Sequence, residues 1–196
     1  MNHPADSDRY FVALVPPPPL REQIITLQEQ IAVRCASRAA LRSPPHLTLQ
    51  PPFVWPSAEL TSLEQTLAAA ALSHPPLPIQ LSGYGAFAPR VIYIQVQPSQ
   101  ALITLQGDLR ARFADHLGVT AGPRRPFVPH LTVAFRDLSP TAFRRVWPDL
   151  QVQPWEATFW ATALTLLRHD GQGWQVFREF PLLTGEPLAW EPIQEP

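Results

Sequence analysis

The chain has 196 residues, of which 45% are hydrophobic and six are tryptophan, so it is long enough to bury a substantial core as one domain. Its formal net charge of −1 argues against a broadly basic protein that binds long duplex nucleic acid through bulk electrostatics. The single cysteine, Cys35, excludes an internal disulfide, and no basic leader or long apolar run indicates secretion or a membrane span, so we expect a soluble, cytoplasmic protein.

Prolines divide the first part of the chain into elements. Residues 10–15 predict an apolar strand, which the tetraproline at 16–19 ends. Apolar residues at three- and four-residue spacing then predict a helix beginning near Leu20. A short strand follows Pro45, and the proline-rich segment 50–56 is predicted to be a loop. Ser57 is predicted to cap a helix over 58–72.

The middle of the chain changes period. Alternating and apolar residues over 77–87 and 90–97 predict an antiparallel hairpin. A helix over 99–116 is then predicted from an apolar stripe formed by Leu102, Leu105, Leu109 and Phe113.

The last part of the chain repeats this alternation. A second short strand follows Pro129, and Ser139-Pro140 predicts the start of a helix that ends near Trp147. Residues 158–167 and 174–180 predict a second hairpin. Helices interspersed with antiparallel strands indicate an α+β fold.

One five-residue pattern occurs twice, as Pro45-His46-Leu47-Thr48-Leu49 and as Pro129-His130-Leu131-Thr132-Val133. Successive side chains of a strand point to opposite faces, so the histidine and the threonine of each copy share one face. Two buried strand histidines with structural roles are the alternative interpretation. The shared proline, leucine and aliphatic positions favour a functional repeat, with both copies facing one cleft.

Two imidazoles and two hydroxyls in one cleft suit the cleavage of a phosphodiester. One neutral and one protonated histidine would supply a general base and a general acid, because the ordinary imidazole pKa lies near 6.5. Thr48 and Thr132 would donate hydrogen bonds to the non-bridging oxygens. This chemistry requires no metal and no cofactor. The symmetric sequence does not distinguish base from acid, and our working assignment makes His130 the base.

The two motifs, together with Ala134-Phe135 after the second, resemble the paired signature of the two-histidine (2H) phosphoesterase superfamily. This group includes 2′-5′ RNA ligase-like proteins and RNA 2′,3′-cyclic phosphodiesterases. The resemblance implies a two-lobed, pseudo-two-fold, LigT-like α+β fold with antiparallel sheets lining a central cleft, and no metal. We expect a disordered start at 1–8, one bilobal domain over 9–183, and a proline-rich tail at 184–196.

Candidate substrate contacts lie near the motifs. Three arginines could bind phosphate through their planar guanidinium groups, with solvated surface charge as the alternative: Arg124, Arg125 and Arg136. Three aromatic residues could stack on a base, with core packing as the alternative: Phe53, Tyr84 and Phe87. Many members of the family carry Arg or Lys close behind the second motif, whereas here two residues precede Arg136. The remaining histidines are interpreted as structural: His3, His74, His116 and His169.

Three functions are consistent with these residues. The first is a metal-independent cyclic phosphodiesterase that acts on RNA ends or small cyclic nucleotides by His/His acid–base catalysis. The second is a 2′-5′ RNA ligase that uses the same site in reverse. The third is a non-catalytic RNA- or nucleotide-binding module. In each case the expected protein is a monomer whose partner is RNA or a small nucleotide, with no membrane involved.

Overall fold

A computed structural model describes residues 6–120 and 126–183 of the protein. The strands are β1 (Ser7–Leu14), β2 (Leu47–Pro56), β3 (Leu77–Phe87), β4 (Val91–Val96), β5 (His130–Ala134), β6 (Glu156–Ala161), β7 (Ala163–His169) and β8 (Trp174–Pro181). The α-helices are α1 (Pro18–Cys35), α2 (Leu60–Ala71), α3 (Gln100–Leu117) and α4 (Pro140–Leu150), and short 3-10 helices cover Ala39–Arg42 and Ser57–Glu59. None of the described helices is long and apolar enough to cross a membrane.

The strands form one antiparallel sheet in the order β6-β3-β4-β5-β2-β1-β7-β8, which confirms the predicted α+β, two-lobed fold. The two motif strands, β2 and β5, lie at its centre. In each half, the motif strand pairs with the strand before it in the chain, and an α-helix lies between the two. The units are β1-α1-β2 in one half and β4-α3-β5 in the other. The halves are therefore related by a pseudo-two-fold axis, and the pair Leu47↔Leu131 joins them.

Two helices link the halves. Helix α1 packs against β5 and α3 packs against β2, so each helix contacts the motif strand of the other half. Gln28 Nε2 in α1 donates to the Thr132 carbonyl over 3.0 Å, and Gln106 Nε2 in α3 donates to the Leu49 carbonyl over 3.3 Å. The helices pack on one face of the sheet and enclose the main core there. The other face of the motif strands is left open.

The predicted loop at 50–56 is wrong, because β2 continues through these residues to Pro56. The register with β1 is irregular between Tyr10, which pairs with Phe53, and Val12, which pairs with Gln50. Pro51 and Pro52 lie between Gln50 and Phe53, and proline has no N–H group to donate to the neighbouring strand. The bulge leaves both prolines out of the pairing with β1, so no hydrogen bond from them is required. Ser57 begins a 3-10 turn, and α2 begins at Leu60 without a side-chain cap.

The predicted single strand at 158–167 is also wrong. Strand β6 pairs with β3 at one end of the sheet, whereas β7 pairs with β1 in the opposite half. The chain changes halves at Thr162, and the apolar pattern does not mark that change. The hairpin of β3 and β4 and the predicted starts of α3 and α4 are confirmed. The side chains of Ser99 and Ser139 cap these two helices by accepting hydrogen bonds from backbone N–H groups.

The sheet begins earlier in the chain than the predicted domain boundary at residue 9. Strand β1 begins at Ser7, so 7–8 belong to the sheet rather than to a disordered start. Residues 1–5 and the predicted tail at 184–196 lie outside the described residues. Cys35 is buried at the end of α1, in agreement with its interpretation as a core residue.

Candidate active site

The central strand pair brings the two motifs together. Because β2 and β5 are antiparallel and Leu47 pairs with Leu131, His46 lies opposite Thr132 and Thr48 lies opposite His130. Both leucines are fully buried on the core side. The two histidines and two threonines are half-buried on the other face. The four predicted motif residues therefore form one cluster.

Each imidazole is oriented by the carbonyl group two residues before it. His46 Nδ1 lies 2.7 Å from the Pro44 oxygen, and His130 Nδ1 lies 2.7 Å from the Val128 oxygen. A carbonyl accepts, so each Nδ1 carries a proton and the neutral ring keeps its lone pair on Nε2. Nε2 is therefore the atom on each ring that is able to exchange a proton with a ligand.

Burial favours the neutral form of both rings. The pKa of His46 is lowered from 6.5 to about 4, chiefly by burial and further by repulsion from His130, while the hydrogen bond to the Pro44 carbonyl opposes the shift. Burial also lowers the pKa of His130, against the effect of its bond to the Val128 carbonyl. Charge on one imidazole therefore disfavours charge on the other.

A cavity of about 550 Å³ opens beside His46 on this face of the sheet. One wall comes from the 3-10 helix that ends at Arg42, and another comes from the turn between β7 and β8. The floor includes His46, Thr48 and Thr132. The lining also includes Arg42, Arg136, Asp137, His169, Gly173 and Trp174.

The chain matches the family model of the 2′-5′ RNA ligase superfamily over residues 16–173. It belongs to that superfamily. A Geobacillus kaustophilus protein named "Putative phosphoesterase" is 31% identical over 148 residues, which are 74% of this chain and 79% of the relative. A Geobacillus thermodenitrificans protein of the same name is 33% identical over 56% of this chain and 61% of its own length.

Solved structures share the fold of this superfamily member. E. coli LigT complexed with 3′-AMP has a TM-score of 0.67 at 24% identity, covering 90% of this chain and 99% of LigT. The protein TT0787 of Thermus thermophilus has a TM-score of 0.68 at 24% identity, covering 91% of this chain and 100% of that protein.

Aromatic rings surround both imidazoles in this superfamily member. The ring centroid of His130 lies 5.0 Å from that of Tyr93 and 5.2 Å from that of Phe87. The centroid of His46 lies 4.7 Å from that of Phe11, which in turn contacts Trp174. Phe87 is 42% exposed and stays a candidate for base stacking. Phe11 and Tyr93 were not predicted from the sequence.

Two predicted stacking residues pack in or against the core instead. Tyr84 is only 5% exposed and belongs to the main core. Phe53 packs against Phe113 and Tyr10, because the bulge in β2 restores the core-facing position after the two prolines. Tyr84 is too deeply buried to stack on a base, so that prediction is wrong, whereas Phe53 is partly buried against the core and lies outside the cavity lining. Arg124 and Arg125 lie outside the described residues.

Arg136 lines the cavity, as a predicted phosphate ligand should. It follows β5 in a γ-turn, with a positive φ of 59° and a 2.8 Å hydrogen bond from the Asp137 amide to the Phe135 carbonyl. Its guanidinium carbon lies 5.2 Å from the centroid of the Phe135 ring. A non-glycine residue in this conformation marks a strained turn beside the motif.

His169 and Arg42 are among the cavity residues that were not assigned to the site from the sequence. His169 was interpreted as structural, but it lines the cavity, and its Nδ1 accepts from the Gly171 amide over 3.0 Å. Its neutral ring therefore carries the proton on Nε2. Arg42 also lines the cavity, although nothing in the local sequence distinguished it from other surface arginines. Across the described part of the chain, no three His, Cys, Asp or Glu side chains are grouped as metal ligands.

Proposed function

We propose that the protein is a phosphodiesterase that opens 2′,3′-cyclic phosphates of RNA ends or small nucleotides. The observation that carries this proposal is the antiparallel register at Leu47↔Leu131, which sets one His/Thr pair against the other on one face. Membership of the 2′-5′ RNA ligase superfamily and the phosphoesterase name of the relatives support phosphate ester chemistry.

The proposed step is an in-line attack of water on phosphorus. The base takes a proton from water as the new P–O bond forms, and the acid gives a proton to the ribose oxygen as its P–O bond breaks. Afterwards the base is protonated and the acid is neutral, so one proton must pass from base to acid through solvent before the next turnover. Atoms and charge then balance, with water as the one co-reactant.

We assign His46 as the base and His130 as the acid, which reverses the working assignment from sequence. The lowered pKa of His46, about 4, keeps its Nε2 lone pair available at neutral pH. A proton in the site therefore resides on His130 in preference. The anionic phosphate of a bound substrate favours that protonated form further, because opposite charges attract.

The two threonines are assigned to the non-bridging oxygens. Thr48 and Thr132 lie on the same face as the imidazoles, each beside one ring along its strand. A hydroxyl donates a hydrogen bond but does not ionise near neutral pH, so it stabilises the added charge without competing for the transferred proton.

The deciding experiment measures hydrolysis of a nucleoside 2′,3′-cyclic phosphate in the presence of EDTA. We expect wild-type turnover to survive EDTA, and His46→Ala and His130→Ala each to lower kcat by about 10²- to 10⁴-fold. His116→Ala is the matched control, because His116 is an exposed residue at the end of α3, away from the cavity.

Product analysis adds the direction of cleavage. A 3′-phosphate product means that the 2′-oxygen leaves towards the acid, and a 2′-phosphate product means the reverse. Loss of wild-type activity with EDTA, or full activity in either single-histidine variant, would contradict the proposed mechanism. Absence of turnover on any cyclic phosphate would contradict the proposed activity.

A further inference from the structure

We infer that the cavity beside His46 binds a second phosphate of the substrate, the one on the 5′-oxygen of the nucleotide that carries the cyclic phosphate. Arg42 and Arg136 are the residues assigned to it. This inference rests on the proposed function for the reacting phosphate and adds a substrate class, since it favours a 5′-phosphorylated or oligomeric RNA end over a bare nucleoside cyclic phosphate.

The charged side chains of the cavity that could bind a ligand are positive. Within the described residues, three side chains that are charged at neutral pH line it: Arg42, Arg136 and Asp137. Neither guanidinium makes a hydrogen bond or an ion pair within that part of the chain, and Arg136 only approaches the Phe135 ring. The Asp137 carboxylate, by contrast, already accepts hydrogen bonds from three groups of the protein. Two guanidinium groups without acidic partners fit a phosphate, whose oxygens accept paired N–H bonds.

Asp137 holds the main chain that carries Arg42. Its Oδ1 accepts from the Ser37 hydroxyl over 2.6 Å, and its Oδ2 accepts from the Arg38 and Ala39 amides over 2.8 and 3.1 Å. These bonds fix the start of the 3-10 helix Ala39–Arg42. Desolvation alone would raise the pKa of the Asp137 carboxyl, but these hydrogen bonds outweigh it and lower the pKa, so the carboxyl stays ionised.

Asp137 also closes the turn that carries Arg136. Its amide makes the γ-turn hydrogen bond to the Phe135 carbonyl, which holds Arg136 at positive φ. A strained conformation persists only where its surroundings determine it, and it occurs preferentially at ligand sites. One residue therefore positions both arginines, through the helix start on one side and through the turn on the other.

The turn between β7 and β8 fixes Arg42 from the opposite side. Gly173 lies so close to it that a Cβ there would be 2.5 Å from the Arg42 carbonyl oxygen. Trp174, the next residue, lines the same cavity beside Phe11 and His46. The cavity thus has two arginines on firmly held backbone, an aromatic wall and one catalytic imidazole. Its volume of about 550 Å³ suits a whole nucleotide rather than one phosphate.

The test compares three substrates: uridine 2′,3′-cyclic phosphate, the same compound with a 5′-phosphate, and the dinucleotide UpU with a terminal 2′,3′-cyclic phosphate. We expect wild-type kcat/KM to be at least about tenfold higher with either second phosphate, the size typical of a charged hydrogen bond. Arg42→Gln should reduce that ratio to about one to two. A ratio raised only by the 5′-monophosphate would identify a free nucleotide as the substrate, and a ratio raised by both would identify an RNA end.

Arg144→Gln is the matched control, because Arg144 is an exposed arginine on α4 that does not line the cavity. It removes the same charge from the protein and should leave the ratio unchanged. Equal kcat/KM for the three substrates in the wild type, or an unchanged ratio in Arg42→Gln, would overturn the inference while leaving the proposed activity intact.

Binding separates the two proposals if no substrate is hydrolysed. Calorimetry then compares uridine 3′-phosphate with uridine 3′,5′-bisphosphate. Tighter binding of the bisphosphate that Arg42→Gln abolishes supports the second-phosphate site even though the proposed activity has failed. Equal binding of the two ligands overturns the site as well.

Discussion

At the scale of single residues, the two imidazoles must differ in protonation, which predicts an acidic optimum for kcat/KM. His46 acts as a base only when neutral, so activity is present above its pKa of about 4 and falls below it. His130 acts as an acid only when protonated, and burial lowers its pKa below 6.5, so activity falls as pH rises through that lowered value. A kcat/KM profile of the free enzyme measures both limbs. An optimum above pH 7 would contradict these protonation states.

The motif residues were predictable because a strand has a fixed two-residue alternation and the pattern occurs twice. Phe53 and Tyr84 were not, since a bulge and a core-facing register decide where an aromatic ring points. Arg42 and His169 lie in a 3-10 helix and at the end of a strand, and they meet the motif only through tertiary structure. Local sequence carries no signal for such contacts.

At the scale of elements, the turn between β7 and β8 sets the position of the 3-10 helix Ala39–Arg42, and Gly173→Ala tests this. The added Cβ would lie 2.5 Å from the Arg42 carbonyl oxygen, a backbone atom that cannot rotate away. We expect a stability loss of about 1–3 kcal/mol in urea denaturation, as for other overpacked sites, together with a reduced preference for a 5′-phosphate.

Gly107→Ala is the control for that substitution. Gly107 lies inside α3, and a Cβ there would meet nothing within 4 Å, so alanine should stabilise the helix by about 0.5–1 kcal/mol. Unchanged stability and unchanged preference in Gly173→Ala would show that the turn does not constrain Arg42.

The hairpin of β3 and β4 and the starts of α3 and α4 were predictable from period and from helix-start residues. The division of 158–167 between β6 and β7 was not, because pairing partners lie far away in the sequence.

At the scale of the whole molecule, the two halves meet along β2 and β5, where the register pair is Leu47↔Leu131. The crossed contacts of α1 and α3, through Gln28 and Gln106, reinforce this junction from the core side. The resemblance to the two-histidine phosphoesterases implied two related lobes. The sequence repeat could not predict that each helix packs on the motif strand of the other lobe, since the two copies are equally compatible with unswapped packing.

Leu131→Ala tests whether this junction sets the spacing of the imidazoles. Leu131 lies between His130 and Thr132 in the chain, and its side chain is fully buried. Leu164 in β7 is equally buried but lies away from the junction. Each truncation should cost about 2–5 kcal/mol in the free energy of unfolding. At a temperature where denaturation curves show both variants folded, we expect kcat to fall in Leu131→Ala and to stay near wild type in Leu164→Ala. Equal kcat in the two variants would mean that β2 and β5 are held in place by the helices rather than by the packing between the two motif strands.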